Sequence, residues 1–178
     1  MAKTAIAPIR SLLRLAETVI AYLEKMKIES KYKLGTLKNG KSFYGEVILQ
    51  IELLPNSKNH EIIESYNGKG FQSQGYIESI PPKGYNSWKK GIKAGVEYAL
   101  RMINSNQKFK VTIFKSNGST TDTNPIILAY VSSRAILKEF ENKESKADLD
   151  KIETIVFNSW NYKHDSQIDF DIMAVTKD

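Results

Sequence analysis

The chain has 178 residues, 41% of them hydrophobic and 26% charged, proportions of an ordinary soluble domain with room for a sizeable core. It carries no cysteine, which excludes disulfides, thiolate metal sites and cysteine nucleophiles. The formal charge of +6 divides unevenly: residues 1–138 hold 21 Lys/Arg against 10 Asp/Glu, and residues 139–178 hold 5 against 10. A basic body with an acidic tail points to a polyanionic partner or, equally, to a tail folded back on a solvated lysine surface.

Arg10 and Arg14 interrupt the first apolar run too early for a signal-peptide core, and no later run approaches a membrane span. The expected location is therefore the cytoplasm, with no membrane partner. Leu12, Leu15, Ala16, Val19, Ile20 and Leu23 recur at helical spacing and predict a helix over residues 10–24. Lys27 to Lys33 alternates like a strand. A basic, glycine-bearing turn, Gly35 to Ser42, follows, and then Val47, Leu49, Ile51 and Leu53 alternate with Glu46, Gln50 and Glu52, the pattern of a half-buried antiparallel strand. Shorter strands are predicted at Glu61–Tyr66 and Gly75–Ile80. Pro81-Pro82-Lys83-Gly84 opens a helix whose apolar stripe is Trp88, Ile92, Val96, Ala99, Leu100 and Ile103. Phe109–Phe114 reads as a strand ended by Ser116-Asn117-Gly118-Ser119. After a polar loop, Pro125 suits the first turn of a helix running to about Asn142. Residues 143–151 continue that helix or link it onward. Glu153–Phe157 and Gln167–Val175 read as two strands around a polar turn.

Few patterns carry chemistry. Gly35 to Ser42 fits G-x-x-x-x-G-K-[ST], the phosphate-cradling loop of nucleotide hydrolases. That mechanism needs a buried strand before the loop and a helix after it, whose N-terminus supplies amide donors to the phosphates. A charged strand precedes this segment and an alternating strand follows it, so no nucleotide is expected at Gly35–Ser42, and a weak hydrolase reading is kept only as a third alternative. His60 and His164 are the only histidines. His164 lies near Asp165, Asp169 and Asp171, a pattern that a solvated acidic edge explains as well as a metal site does. No nucleophile elbow accompanies the serines. Neither catalytic residues nor a metal or cofactor are expected. Asn117-Gly118-Ser119 fits a glycosylation sequon and, in a cytoplasmic protein, is turn chemistry. Residues 25–41 carry six lysines against Glu29 alone, a density that suits salt-dependent phosphate contacts or plain solubilisation. Phe43 and Tyr44 suit the core or stacking on bases.

Several motifs in fixed order resemble domain IV of translation elongation factor G. Tyr44-Gly45-Glu46-Val47 and Leu54-Pro55 stand where that family has a Tyr/Phe-Gly-His-Val strand running to Leu-Pro. Gly95-Val96-Glu97-Tyr98-Ala99-Leu100 matches its Gly-Val-x-x-Ala-Leu. Asn117-Gly118-Ser119 stands for its Asp-Gly-Ser, and Asp122 for its loop aspartate. Ala129-Tyr130 and Leu137-Lys138-Glu139 match its second helix. The resemblance covers Lys25 to Phe140. It implies an α+β, two-layer fold like the second domain of ribosomal protein S5: a four-stranded mixed sheet with two helices on one face and a left-handed βαβ crossover. The N-terminal helix and the C-terminal strand pair would be additions to that core. The expected organisation is thus a single domain, with residues 1–24 a helical extension, 25–142 the core, and 143–178 an acidic linker and β-hairpin.

In that family two tip loops contact tRNA and mRNA in the ribosomal decoding region. Carried onto this chain, the resemblance implies a non-enzymatic, stand-alone domain that binds RNA or the ribosome through Lys33, Lys38, Asn39, Lys41, Thr120, Thr121 and Asp122. Three departures weaken an identical role. Thr121 stands for the family's loop histidine, Glu46 for its strand histidine, and Lys38-Asn39-Gly40-Lys41 for its Gly-Gly-Arg-Gly. No counterpart of the GTPase domain is present, so translocase activity is not expected. The alternative is a protein-interaction or structural module that keeps the fold and serves a protein partner or a second copy of itself.

Overall fold

The charged alternation of Lys27–Lys33 and the apolar alternation of Val47–Leu53 are the two arms of one antiparallel hairpin. Strand β1 (Lys27–Lys38) pairs with β2 (Lys41–Leu54) in unbroken register from Lys27↔Glu52 to Lys38↔Lys41. The computed structural model describes residues 27–72, 75–103, 106–140 and 146–162. The hairpin is followed by β3 (Glu61–Glu64), β4 (Glu78–Ser79), α1 (Asn86–Met102), β5 (Lys108–Gly118), α2 (Pro125–Leu137) and α3 (Lys146–Phe157). Short 3-10 turns at Lys138–Phe140 and Ser159–Asn161 follow α2 and α3.

The sheet is mixed, in the order β1-β2-β5-β3, with β4 pairing β5 beside β3. β2 and β5 are antiparallel, and β3 lies parallel to β5. The architecture is α+β and two-layered, as the resemblance implies. The two-residue β4 makes five strands rather than four, and α3 makes three helices rather than two. Gly75–Ile80 contributes only Glu78–Ser79 to the sheet. Helix α1 starts at Asn86 rather than at the prolines, because Gly84 and Tyr85 both take positive φ and turn the chain first.

One face of the sheet is apolar. Val47, Leu49 and Ile51 of β2 and Val111 and Ile113 of β5 are buried under α1 and α2, together with Ile92, Val96, Ile127, Leu128 and Val131. Burying each such side chain contributes roughly 1.5–3 kcal/mol before chain entropy is counted. The two helices touch backbone to backbone: a Cβ on Gly91 or Gly95, one turn apart, would collide with the carbonyls of Pro125 and Ala129. This is the physical content of the Gly-Val-x-x-Ala-Leu motif. Helix α2 is buried along nearly its whole length.

The C-terminal segment departs from expectation. Glu153–Phe157, read as a strand, is the second half of helix α3. Its buried residues, Ile152, Ile155 and Val156, recur at three- and four-residue intervals, so helical packing overrides the strand preference of Ile155-Val156-Phe157. The expected helix at residues 10–24 and the expected strand Gln167–Val175 lie outside the described residues.

Candidate nucleic-acid interface

The basic turn is smaller than the sequence predicts. Gly35 to Lys38 continue β1, Lys41 and Ser42 begin β2, and only Asn39 and Gly40 turn the chain. Both have positive φ, 53° and 72°, the conformation a two-residue hairpin turn needs and the reason for an Asn-Gly pair there. Gly35–Ser42 is therefore strand, turn and strand, with no helix behind it. Lys38 and Lys41 lie directly opposite each other at the foot of the turn, both exposed.

The second loop, residues 119–124, packs beside the hairpin rather than at its tip. The Tyr44 amide donates to the Asp122 carbonyl at 2.8 Å, and the Thr123 hydroxyl donates to the Tyr44 carbonyl at 2.6 Å. Within the loop, the Ser119 amide donates to Thr123 Oγ1 at 2.7 Å and the Thr123 amide to the Ser119 carbonyl at 2.9 Å. Asn124 then caps α2, its Oδ1 accepting from the amides of Ile126 and Ile127 at 3.0 and 3.1 Å. Since Tyr44 is three residues from Lys41, the hairpin projects roughly 10 Å beyond the loop. The expected residues thus form two tiers: Lys38, Asn39 and Lys41 outermost, and Thr120, Thr121 and Asp122 behind them. Thr121 pairs its hydroxyl with Ser119 Oγ at 3.1 Å, and Thr120 donates to the Glu78 carboxylate, which Tyr85 also engages. Lys33 sits on the open face of the sheet, its Nζ 5.6 Å from the Tyr44 ring.

That open face is partly neutralised by ion pairs. Lys31 pairs with Glu46 at 2.6 Å, and Lys27 and Lys110 both reach Glu52 at 3.1 Å. Glu46 is only 8% exposed and also accepts from Asn117 Nδ2 at 2.6 Å. Burial alone would raise its pKa. The hydrogen bonds from Lys31 and Asn117 and the charges of Lys31 and Lys33 outweigh that and hold it below the usual carboxylate value. The Tyr44 phenol moves the other way, raised by burial and then by Glu46. Asn117 is buried and bonded, so the sequon is part of the sheet rather than a glycan acceptor.

The tip lysines have neighbours that the sequence did not disclose. Lys38 Nζ lies 4.0 Å from the centre of the Phe157 ring, and Lys41 Nζ is 3.4 Å from Asn161 Oδ1. Phe157 in turn packs edge-on against Phe43, ring centres 5.2 Å apart. Asn124 Nδ2 donates to Ser159 Oγ at 2.8 Å. The end of α3 and the turn after it therefore brace both the hairpin and the start of α2. Phe43 is buried core, and Tyr44 is half-buried.

Away from this end, His60 is the described histidine. Its Nδ1 accepts from the Phe109 amide at 3.1 Å, and its ring stacks on Phe109. Burial, and then Lys108, hold its pKa below the ordinary value. It borders a cleft of about 530 Å³ shared with Glu97, Arg101 and Lys108. Among the described residues no three His, Asp or Glu side chains gather as a metal site, and His164 lies outside them. Nor is any described helix long and apolar enough to cross a membrane.

No family model matches the chain, and no curated protein matches it. Among solved structures it is similar to a protein of Thermus thermophilus, at 17% identity and a TM-score of 0.46, over 63% of this chain and 15% of that one. It is also similar to a mevalonate kinase, at 18% identity and a TM-score of 0.33, over 84% of this chain and 50% of that one. The chain thus spans half or less of the length of either.

Proposed function

We propose that this chain acts as a non-enzymatic domain of the elongation factor G domain IV type, binding RNA or the ribosome through its hairpin tip and the adjoining loop. One observation carries the reading. On the open face Lys27, Lys31 and Lys110 are matched by Glu46 and Glu52, whereas Lys38 and Lys41 stand opposite each other, exposed, on a hairpin that projects past the rest of the sheet. Paired cations on a projecting turn suit a phosphate backbone, where each neutralised phosphate releases a counterion and makes binding salt-dependent. Contact by a small tip rather than by a broad patch also suits a structured RNA, recognised by its shape.

The double substitution Lys38→Glu and Lys41→Glu reverses charge at two exposed tip positions, at the loss of their contacts with Phe157 and Asn161. It should abolish co-sedimentation with ribosomes and retention of total RNA at low salt, while the far-ultraviolet circular dichroism stays unchanged. Undiminished binding by the variant, or no binding by the parent at low salt, would overturn the proposal. A second reading, a protein-interaction module, draws on the contacts of Lys38 with Phe157 and of Lys41 with Asn161. These give both lysines a structural task inside the molecule. Light scattering and cross-linking of the purified protein test for a self-associated form.

A further inference from the structure

The chain between β3 and β4 leaves the sheet and returns to it in a closed excursion. The Gly68 amide donates to the Ile80 carbonyl at 3.0 Å and the Gly70 amide to the Ser79 carbonyl at 2.8 Å, so Gly70 and Ser79 form an isolated bridge. Ser79 and Glu78 pair in turn with Asn117 and Gly118 of β5. The base of the excursion is thus fixed to the sheet beside loop 119–124, to which Glu78 is bonded through Thr120. What it carries outward is unusual. Five large hydrophobic side chains are exposed among the described residues, and three of them lie here: Phe71 at 67%, Tyr76 at 91% and Ile77 at 52%. Such concentration on one pinned segment marks a contact surface.

The chemistry beside it narrows the partner. A cleft of about 390 Å³ runs along the base of the excursion, lined by Asn67, Lys69, Gln72, Ile77, Ser79 and Lys115 among others. Its described lining has two lysines and two side-chain amides and no carboxylate. The neighbouring Glu78 is buried and engaged by Tyr85 and Thr120. The cleft also borders the open face of the sheet through Lys115. Lys115 is opposite Ile48 of β2, and Ile48 is opposite Lys31 of β1, two pairs away from Lys33 and Glu46. From Lys115 to the row of Lys33 is two strand spacings, roughly 10 Å.

We infer that Phe71 and Tyr76 stack on unpaired bases of a single-stranded RNA whose phosphates run along Lys69 and Lys115 toward Lys33. The inference rests on the RNA-binding reading and deepens it. Exposed rings supply sequence-tolerant stacking, lysines neutralise the backbone, and the amides of Asn67 and Gln72 meet base edges or sugar hydroxyls. A duplex, whose bases are already stacked, offers nothing to the rings.

The test is fluorescence anisotropy of the full chain with a labelled oligouridine of about ten nucleotides, long enough for one such track. A hairpin RNA duplex and a DNA strand of the same length serve as comparison probes. Phe71→Ala with Tyr76→Ala should weaken oligouridine binding at least about tenfold, the loss expected when base stacking is removed. The salt slope and duplex binding should not change. Lys69→Glu with Lys115→Glu should instead flatten the salt slope. Tyr76→Trp should preserve binding and show quenching on titration. Both aromatic positions are exposed, so folding is checked simply by an unchanged thermal midpoint. Oligouridine binding by the aromatic variant within twofold of the parent overturns the inference and leaves the patch to a protein partner. If the same preparation loses binding on Lys38→Glu with Lys41→Glu, the tip reading survives that outcome. DNA bound as tightly as RNA overturns the assignment to RNA, and no binding of any probe by the parent overturns both readings.

Discussion

Asn124 ties two distant parts of the molecule through one amide. Its oxygen caps α2 by accepting from two backbone amides, and its nitrogen donates to the fully buried hydroxyl of Ser159. Substitution by alanine removes the cap and leaves Ser159 without this donor. Cap loss costs about 1 kcal/mol and an unmet buried hydroxyl about another, so Asn124→Ala should lower unfolding free energy by ~2 kcal/mol in urea. Asn124→Ser keeps a capping oxygen and should recover about half of that. A midpoint unmoved by alanine would show that water replaces both bonds. Half of this residue's role is legible in the sequence, because Pro125 marks the first turn of a helix and an Asn before it is a capping residue. The other half is not, since nothing local announces a partner 35 residues away. The same limit explains the hairpin turn. Lys38-Asn39-Gly40-Lys41 invites comparison with a glycine-rich loop, yet Asn-Gly alone fixes a two-residue turn, and the strands simply continue to meet it.

At the level of elements, α3 is where local preference and packing disagree. Ile155-Val156-Phe157 favours a strand, and the polar residues before it hide the helical spacing of Leu149, Ile152 and Val156. Once helical, the element turns Phe157 toward Phe43 and Lys38 and becomes the brace of the hairpin. The expected consequence is mechanical as well as energetic. Phe157→Ala should cost about 1–2 kcal/mol, less than a fully buried aromatic because the ring is half-buried. It should also loosen the outer hairpin selectively. Amide exchange of Lys38 to Ser42 should accelerate, while that of Val47 to Ile51, under α2, should not. Equal acceleration along the whole of β2 would mean that α3 stabilises the sheet globally rather than bracing its tip. The remaining elements were more legible. The alternation of β2 and the apolar stripe of α1 each specify a buried face unaided, because that face points wholly into one core.

The whole molecule sets a charged, internally paired sheet face against a dry helical one, and this division fixes its response to acid. On the open face Glu46 and Glu52 carry pKa values below the ordinary 4.5. In both, burial alone would raise the value and is outweighed by lysine partners, with Asn117 assisting at Glu46. A carboxylate depressed in the fold takes up its proton more readily when unfolded. Its contribution is complete above the unfolded value and is lost as pH falls through the folded one. At the far end of β5, His60 is depressed below 6.5 by burial and then by Lys108. The unfolded imidazole therefore protonates first. That contribution is full above about pH 6.5 and declines as pH falls through 6.5 toward the folded value. The thermal midpoint should thus fall in two stages on acidification at constant ionic strength, first below neutrality and then more steeply below about pH 4.5. His60→Asn offers an amide oxygen to the Phe109 amide without a titrating ring, and it should remove the first stage while leaving the second. Glu46→Gln should shrink the second stage and leave the first. The assignment fails if the first decline persists in His60→Asn, for the titrating group must then lie elsewhere.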